Sequence, residues 1–229
     1  MVTKRKKNRL FDKWPEEYDR WFTTPMGALV KKYESELLLD LLRPKHKEII
    51  LDAGCGTGVF TLDFLSLGPH VIGLDISLPM LIRAGQKVKG YPFQIVLGDI
   101  LSLPFPENFF DRVVSVTALE FIADAKGAIR ELFRVTKKGG CIVVATLNSL
   151  SPWASRRKAE AKKRPTLFEK AIFRSPDELL SLVSVEGVVR TAIHFQKEDD
   201  PESVQEIERE GRLGGLNTGA FVAARWIKS

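Results

Sequence analysis

The sequence predicts an α/β protein built on a doubly wound, mostly parallel sheet, and three observations carry that expectation. Short apolar runs alternate with amphipathic stretches through the middle of the chain, the pattern of strand–helix–strand units. The first run, Ile49-Ile50-Leu51-Asp52-Ala53, enters Gly54-Cys55-Gly56-Thr57-Gly58, with a glycine at every second position. Three runs end on or beside an acid, at Asp52, Asp75 and Asp99. Open α/β sheets bind ligands at the carboxyl ends of their strands.

The elements follow in order. Residues 1–13 read as a basic tail. Residues 14–24 place Trp14, Tyr18, Trp21 and Phe22 at spacings that form one helical face. A second helix over about 27–43 turns Val30, Tyr33, Leu37 and Leu41 to one side, and Pro44 ends it. Strands are expected near 48–52, 70–75, 93–97, 111–116 and 140–147, with helices between. The helix near 125–136 buries Ala125, Ile129, Leu132 and Phe133, with Gly139-Gly140 as its stop. Residues 149–174 form a basic insert with one helix, placed as a lid over the ligand side. Ser175-Pro176-Asp177-Glu178 is a helix start of the capping-box kind. Two strands near 186–195 and 218–227 close the chain.

The glycine loop carries the chemistry. Glycine lets the backbone approach a ligand closely, and N–H groups at the following helix start suit an anionic group. Asp75 lies one strand–helix–strand unit later, where an acid accepts hydrogen bonds from ribose hydroxyls. Dinucleotide sites use G-x-G-x-x-G and rest a pyrophosphate there. Here the spacing is G-x-G-x-G, and the Asp52 carboxylate would repel a pyrophosphate. It suits an ammonium group, which S-adenosylmethionine carries and which a nicotinamide dinucleotide does not present there.

Val96-Leu97-Gly98-Asp99-Ile100, the strand from Phe110 to Thr117, and Cys141-Ile142-Val143-Val144-Ala145 complete the ordered set. Together these segments resemble the class I S-adenosylmethionine-dependent methyltransferases, in the small-molecule branch of ubiquinone and menaquinone biosynthesis. The resemblance covers residues 46–147. It implies a Rossmann-like, seven-stranded sheet with a terminal antiparallel strand, and S-adenosylhomocysteine as product. It implies that Gly54, Cys55 and Gly56 line the methionine end of the cofactor and that Asp75 binds the ribose. Ile76 packs on the adenine, Met80 covers it, Asp99 accepts from its amino group and the Ile100 N–H meets a ring nitrogen. Thr117 flanks the transferring methyl group. Tyr18, Trp21 and Tyr33 are lid candidates. Each position has a plainer reading: a cap for Asp75 or Asp99, a strand end for Thr117, core packing for the aromatic residues.

Composition bounds the rest. The chain has 229 residues and 44% hydrophobic content, which suits one globular domain over 14–229. No apolar run reaches the roughly 18 residues of a membrane span. The basic N-terminus lacks the apolar stretch of a secretory signal. Two cysteines, Cys55 and Cys141, form no disulfide framework, and a cytoplasmic protein is expected. The net charge is +6, concentrated in Lys4-Arg5-Lys6-Lys7 with Arg9 and in Arg156-Arg157-Lys158 with Lys162-Lys163-Arg164. These clusters leave open an RNA or protein acceptor, or a non-catalytic scaffold, beside the small-molecule reading. No metal site is expected. His46, His70 and His194 read as structural, Glu120 and Asp124 as bases or caps, and no residue is singled out as catalytic.

Overall fold

The computed structural model describes residues 10–163 and 166–229. The basic run Lys4–Lys7, Arg9 and Arg164 therefore lie outside the described residues. Two helices open the chain, α1 (Pro15–Thr23) and α2 (Pro25–Leu42). Then come β1 (Ile49–Ala53), α3 (Thr61–Leu65), β2 (His70–Asp75), α4 (Leu78–Lys87), β3 (Phe93–Leu97), β4 (Phe110–Val116), α5 (Ala125–Val135) and β5 (Thr136–Leu147). The last part holds α6 (Pro152–Lys163), α7 (Pro176–Leu180), β6 (Gly187–Ala192), α8 (Val204–Leu213) and β7 (Phe221–Ile227).

One seven-stranded sheet results, in the order β3-β2-β1-β4-β5-β7-β6. The first five neighbours run parallel, and β7 is antiparallel to both β5 and β6. The strand order reverses between β1 and β4, so the crevice beyond their carboxyl ends is the expected binding place. Ile50, Leu51 and Ala53 are fully buried. That explains why β1 is a continuous apolar run rather than an alternating one.

Local chemistry fixes several ends. Thr24 caps α2 by accepting from the Gly27 N–H at 3.0 Å, and Arg43 closes it in the left-handed region at φ 49°. Asp124 caps α5, accepting from the Gly127 N–H at 2.8 Å. Ser175 and Glu178 form the expected capping box.

Three expectations are corrected. Gly139-Gly140 does not stop α5: the helix ends at Val135, where the Thr136 hydroxyl turns back to the Leu132 carbonyl at 2.7 Å. The glycines lie inside β5, where its register with β4 shifts. A Cβ on Gly140 would sit 2.9 Å from the Asp111 carbonyl oxygen, so the bulge needs glycine there. The stretch between the last two strands is not merely a linker, because it contains α8. Its polar sequence hides the helix; Gly211 is the point where it presses on the His194 ring. His194 lies just past β6 rather than within it, and bonds to the buried Glu208.

Candidate active site

Two cavities open beside the carboxyl ends of β1, β2 and β4. One, of about 540 Å³, is walled by the glycine loop and the strand-end acids. The other, of about 610 Å³, is walled by α1, α2, the turn after β4 and the insert around α6. Both volumes lie in the range of small-molecule sites. Phe11, Tyr18, Phe60, Thr117 and Phe121 stand in both walls, so the cavities adjoin along a seam.

The first cavity collects almost every residue singled out in the sequence. Asp52, Gly54, Cys55, Gly56, Asp75, Ile76, Met80, Asp99, Ile100 and Thr117 all line it. Four aspartates, Asp52, Asp75, Asp99 and Asp124, are in its wall, and no lysine, arginine or histidine is among its described lining residues. Such a wall repels phosphate and favours a cationic ligand. Gly56 is left-handed at φ 54°, and a Cβ there would meet nothing within 4 Å. Its bare backbone therefore leaves room beside the loop.

Four N–H groups of the loop are engaged within the fold. Those of Gly54 and Cys55 both donate to the Leu74 carbonyl, at 2.6 and 3.1 Å. The Gly56 N–H donates to Asp75 Oδ2 at 2.9 Å, and that of Gly58 to the Cys55 carbonyl at 2.9 Å. The loop thus folds back on the end of β2, and its backbone geometry and the acids shape this cavity. Asp75 ties the loop from one side and accepts from the Ser77 N–H at 2.8 Å on the other. Asp99 closes an Asx turn onto the Leu101 N–H at 3.0 Å.

Burial pushes the Asp52 carboxyl up to about 7; the Thr61 hydroxyl, donating at 2.6 Å, works against this, and nearby Asp75 adds to it. Burial likewise raises the Cys55 thiol well above its usual value, so Cys55 is no nucleophile. Thr117 is held at φ 47°. A β-branched residue in the left-handed region is strained, and such strain gathers at functional sites.

The second cavity was only partly legible. Trp14, Tyr18, Trp21 and Phe22 share one helical face, as their spacing predicts, and all line it. Burial raises the Tyr18 hydroxyl above its usual range, against a hydrogen bond with Thr117. Tyr33 lines neither cavity. It packs on Phe195 at 5.7 Å between ring centres, under the Arg212 guanidinium. Two buried acids complete the wall, Glu34 on α2 and Glu120 just past β4. Burial lifts Glu34 to about 8, against Arg157 and Lys31, and lifts Glu120 to about 7. Glu120 is no helix cap: Oε1 accepts from the Leu147 N–H at 3.2 Å, and Oε2 is buried with no partner. The signal for Glu34 was in the sequence, since Val30, Glu34, Leu37 and Leu41 form one stripe at helical spacing. An acid inside an apolar stripe is a buried acid. Arg157 belongs to a basic cluster in the sequence, yet it lies over the Trp153 and Phe168 rings at 5.4 and 5.1 Å.

Comparison with known proteins agrees with this geometry. Residues 51–144 match the model of the methyltransferase domain family. The chain is 29% identical over 220 residues to a malonyl-[acyl-carrier protein] O-methyltransferase of Serratia marcescens, spanning 86% of this chain and 80% of that one. It is 31% identical to an uncharacterized protein of Methanocaldococcus jannaschii over 93% of this chain and 96% of the other. A crystal structure from Thermotoga maritima, described as an S-adenosylmethionine-dependent methyltransferase and possible histamine N-methyltransferase, superposes with a TM-score of 0.71 at 26% identity, covering 96% and 98% of the two chains. The chain belongs to the S-adenosylmethionine-dependent methyltransferases. Its cofactor is S-adenosylmethionine, and the acidic, phosphate-averse cavity fits that choice on its own. Two further malonyl-[acyl-carrier protein] O-methyltransferases, of Salmonella typhimurium and Yersinia pestis, are matched over 47% and 48% of their length. Among the described residues of this methyltransferase, no helix is long and apolar enough to cross a membrane, and no cluster of His, Cys, Asp and Glu is arranged to hold a metal ion.

Proposed function

We propose that this methyltransferase holds S-adenosylmethionine in the acidic cavity and a small-molecule acceptor in the aromatic one, with transfer across the seam. The observation that carries the reading is the shared wall: Tyr18 and Thr117 stand in both cavities. In this reading Asp52 faces the ammonium group, and Gly54, Cys55 and Gly56 give the methionine end its room. Asp75 takes the ribose hydroxyls. Ile76 and Met80 sandwich the adenine, Asp99 accepts from its amino group, and the Ile100 N–H meets a ring nitrogen. When bound, the cofactor supplies a methyl carbon already activated by a positive sulfur. What the protein adds is position. Thr117 and Tyr18 define the line of approach, and the aromatic wall keeps water away.

Residues 14–229 act as one methyltransferase domain, with 14–44 as its cap and 149–174 as its lid. Arg157 supports a small acceptor over a polyanion, because it lies against the Trp153 and Phe168 rings of the cavity wall instead of on an exposed basic face. The test is calorimetric titration with S-adenosylmethionine, S-adenosylhomocysteine and NAD. Micromolar binding of the first two without NAD binding is expected. Binding of NAD alone, or of none, overturns the reading.

A further inference from the structure

We infer that the acceptor is an amine carried on an apolar or aromatic body, with Glu34 as its counter-charge and Glu120 as the group that takes its proton. The inference deepens the function proposed above and rests on it.

The body of the acceptor follows from the walls. Trp14, Tyr18, Trp21, Phe22, Phe60 and Trp153 surround the second cavity, so most of an occupant's surface meets rings. Its charge follows from what those rings enclose. Glu34 and Glu120 are 5% and 0% exposed. Arg157 and Lys31 act on Glu34, and Arg174 on Glu120, without closing an ion pair, and Glu120 Oε2 has no hydrogen-bond partner. A buried carboxylate with an unpaired oxygen and no ion-pair partner is costly. Burial duly lifts both above the usual carboxylate range. An ammonium group between them removes that cost.

Arg156 and Arg157 argue for an anion instead, since each has a buried Nη1 without a partner. Arg156 is already paired with Glu198 through Nη2, however, and Arg157 faces two buried acids, to which an acceptor carboxylate would add a third. The other charged lining residues are two acids, Glu17 and Glu160, and two bases, Arg156 and Lys197, which offset each other. An ammonium group seated between Glu34 and Glu120 draws both acids into their ionised forms, and with Arg157 the four charges then cancel. The walls favour a cation as well: the faces of Trp153 and Phe168 already hold the Arg157 guanidinium, and aromatic faces attract cations generally.

The same acids solve the chemical difficulty of an amine acceptor. An ammonium nitrogen has no lone pair and cannot attack carbon. Glu120 lies three residues past Thr117, the seam residue, and its raised carboxyl suits a proton acceptor near neutral pH. One N–H proton passes to Glu120 Oε2. The freed lone pair forms the N–C bond to the methyl carbon, and the C–S bond breaks with its electron pair going to sulfur. The products are a methylated ammonium, a protonated Glu120 and a neutral thioether, so charge and atoms balance.

Tryptamine, 2-phenylethylamine and decylamine, each with its matched alcohol and carboxylate, test this in calorimetric titrations of the S-adenosylhomocysteine-loaded protein. At least one amine should bind tenfold or more tightly than both its partners. Label from methyl-labelled S-adenosylmethionine should appear on its nitrogen. Glu34→Gln should weaken that amine tenfold and leave the alcohol unchanged, and Glu120→Gln should lower kcat at least 100-fold. The ligand comparison uses the unmodified protein, so it stands even where a variant fails to fold. Binding of S-adenosylhomocysteine without an amine preference, or methylation of a carboxylate or alcohol in place of the amine, overturns this inference alone. Failure to bind S-adenosylhomocysteine overturns the function on which it rests.

Discussion

The Thr57 hydroxyl donates to Asp19 Oδ1 at 2.6 Å, joining the tip of the glycine loop to the middle of α1. The same carboxylate receives Lys87 Nζ at 2.6 Å and Arg83 Nε at 2.9 Å from α4. Burial works to raise the Asp19 carboxyl, but these three bonds outweigh it and hold it below its usual value. Nearer the N-terminus, the Ser77 hydroxyl donates to Asp12 at 2.8 Å. The segment bearing Phe11 and Tyr18 is thus strapped across the first cavity by two aspartates.

Removing the strap should loosen the cavity without unfolding the sheet. Asp19→Ala deletes the partner of two cations that are partly exposed, so its global stability cost should stay near 1 kcal/mol or below. S-adenosylhomocysteine affinity should fall about five- to thirtyfold, since about 1–2 kcal/mol of ordering of α1 must then come from the ligand. Thr57→Val should reproduce part of that loss. Hydrogen exchange of α1 amides, with and without ligand, checks the mechanism. Unaltered exchange in Asp19→Ala would mean that packing of Trp21 and Phe22 alone seats the helix.

Asp75 ties the glycine loop to the start of α4 and in the proposed function also takes the ribose, so its removal should register both. Asp75→Ala should weaken S-adenosylmethionine binding by about 1.5–3 kcal/mol, as loss of hydrogen bonds to a charged group does. The structure adds that the variant also frees the Gly56 and Ser77 N–H groups. Asp75→Asn, which keeps one acceptor oxygen, should fall between the two. Calorimetry on all three proteins decides it, and unchanged affinity in the alanine variant would remove Asp75 from the ribose.

The parallel half of the sheet was readable because each buried strand is a short apolar run bounded by an acid or glycine. The first cavity was readable for the same reason: its residues sit at strand ends, where spacing fixes position. The second cavity was not. Its walls come from α1, α2, the turn at Glu120 and the insert at Arg157, far apart in sequence and joined only by packing. Spacing showed the aromatic face of α1 but not what that face covers. Tyr33 illustrates the limit: it shares a helix with Glu34, yet one residue of rotation sends it to Phe195 instead of the cavity. Nor does spacing show that the Leu74 carbonyl takes the N–H groups of Gly54 and Cys55, a contact that only the fold creates.

Cofactor affinity should depend on pH through Asp52. With its carboxyl lifted to about 7, Asp52 is largely protonated below that pH and offers no charge to an ammonium group. Affinity for S-adenosylmethionine should therefore rise with pH toward 7, by at most about tenfold per unit. It should decline again as the ligand's α-amino group loses its proton near the reference value of about 8. Asp52→Asn should flatten the acid limb and leave the alkaline one. Titrations at half-unit intervals read both limbs, and an acid limb that survives in Asp52→Asn would assign it to another group.

Glu34 makes the opposite kind of statement, about stability. Its carboxyl stands near 8 in the fold against a usual 4.5, so between those values the folded state holds a proton that the unfolded chain has released. Raising pH through that window withdraws stability, by up to about 1.4 kcal/mol per unit. Glutamine keeps the shape of the neutral acid and has no proton to hold. Glu34→Gln should thus match the parent most closely near pH 5 and exceed it increasingly toward pH 8, in urea unfolding at both values with ligand absent. Glu120 is also raised and its charge adds to the rise at Glu34, so the same comparison made in a Glu120→Gln background isolates Glu34. A gap that stays level or closes with rising pH would show that Glu34 is ionised inside the fold, with Arg157 as its compensating charge.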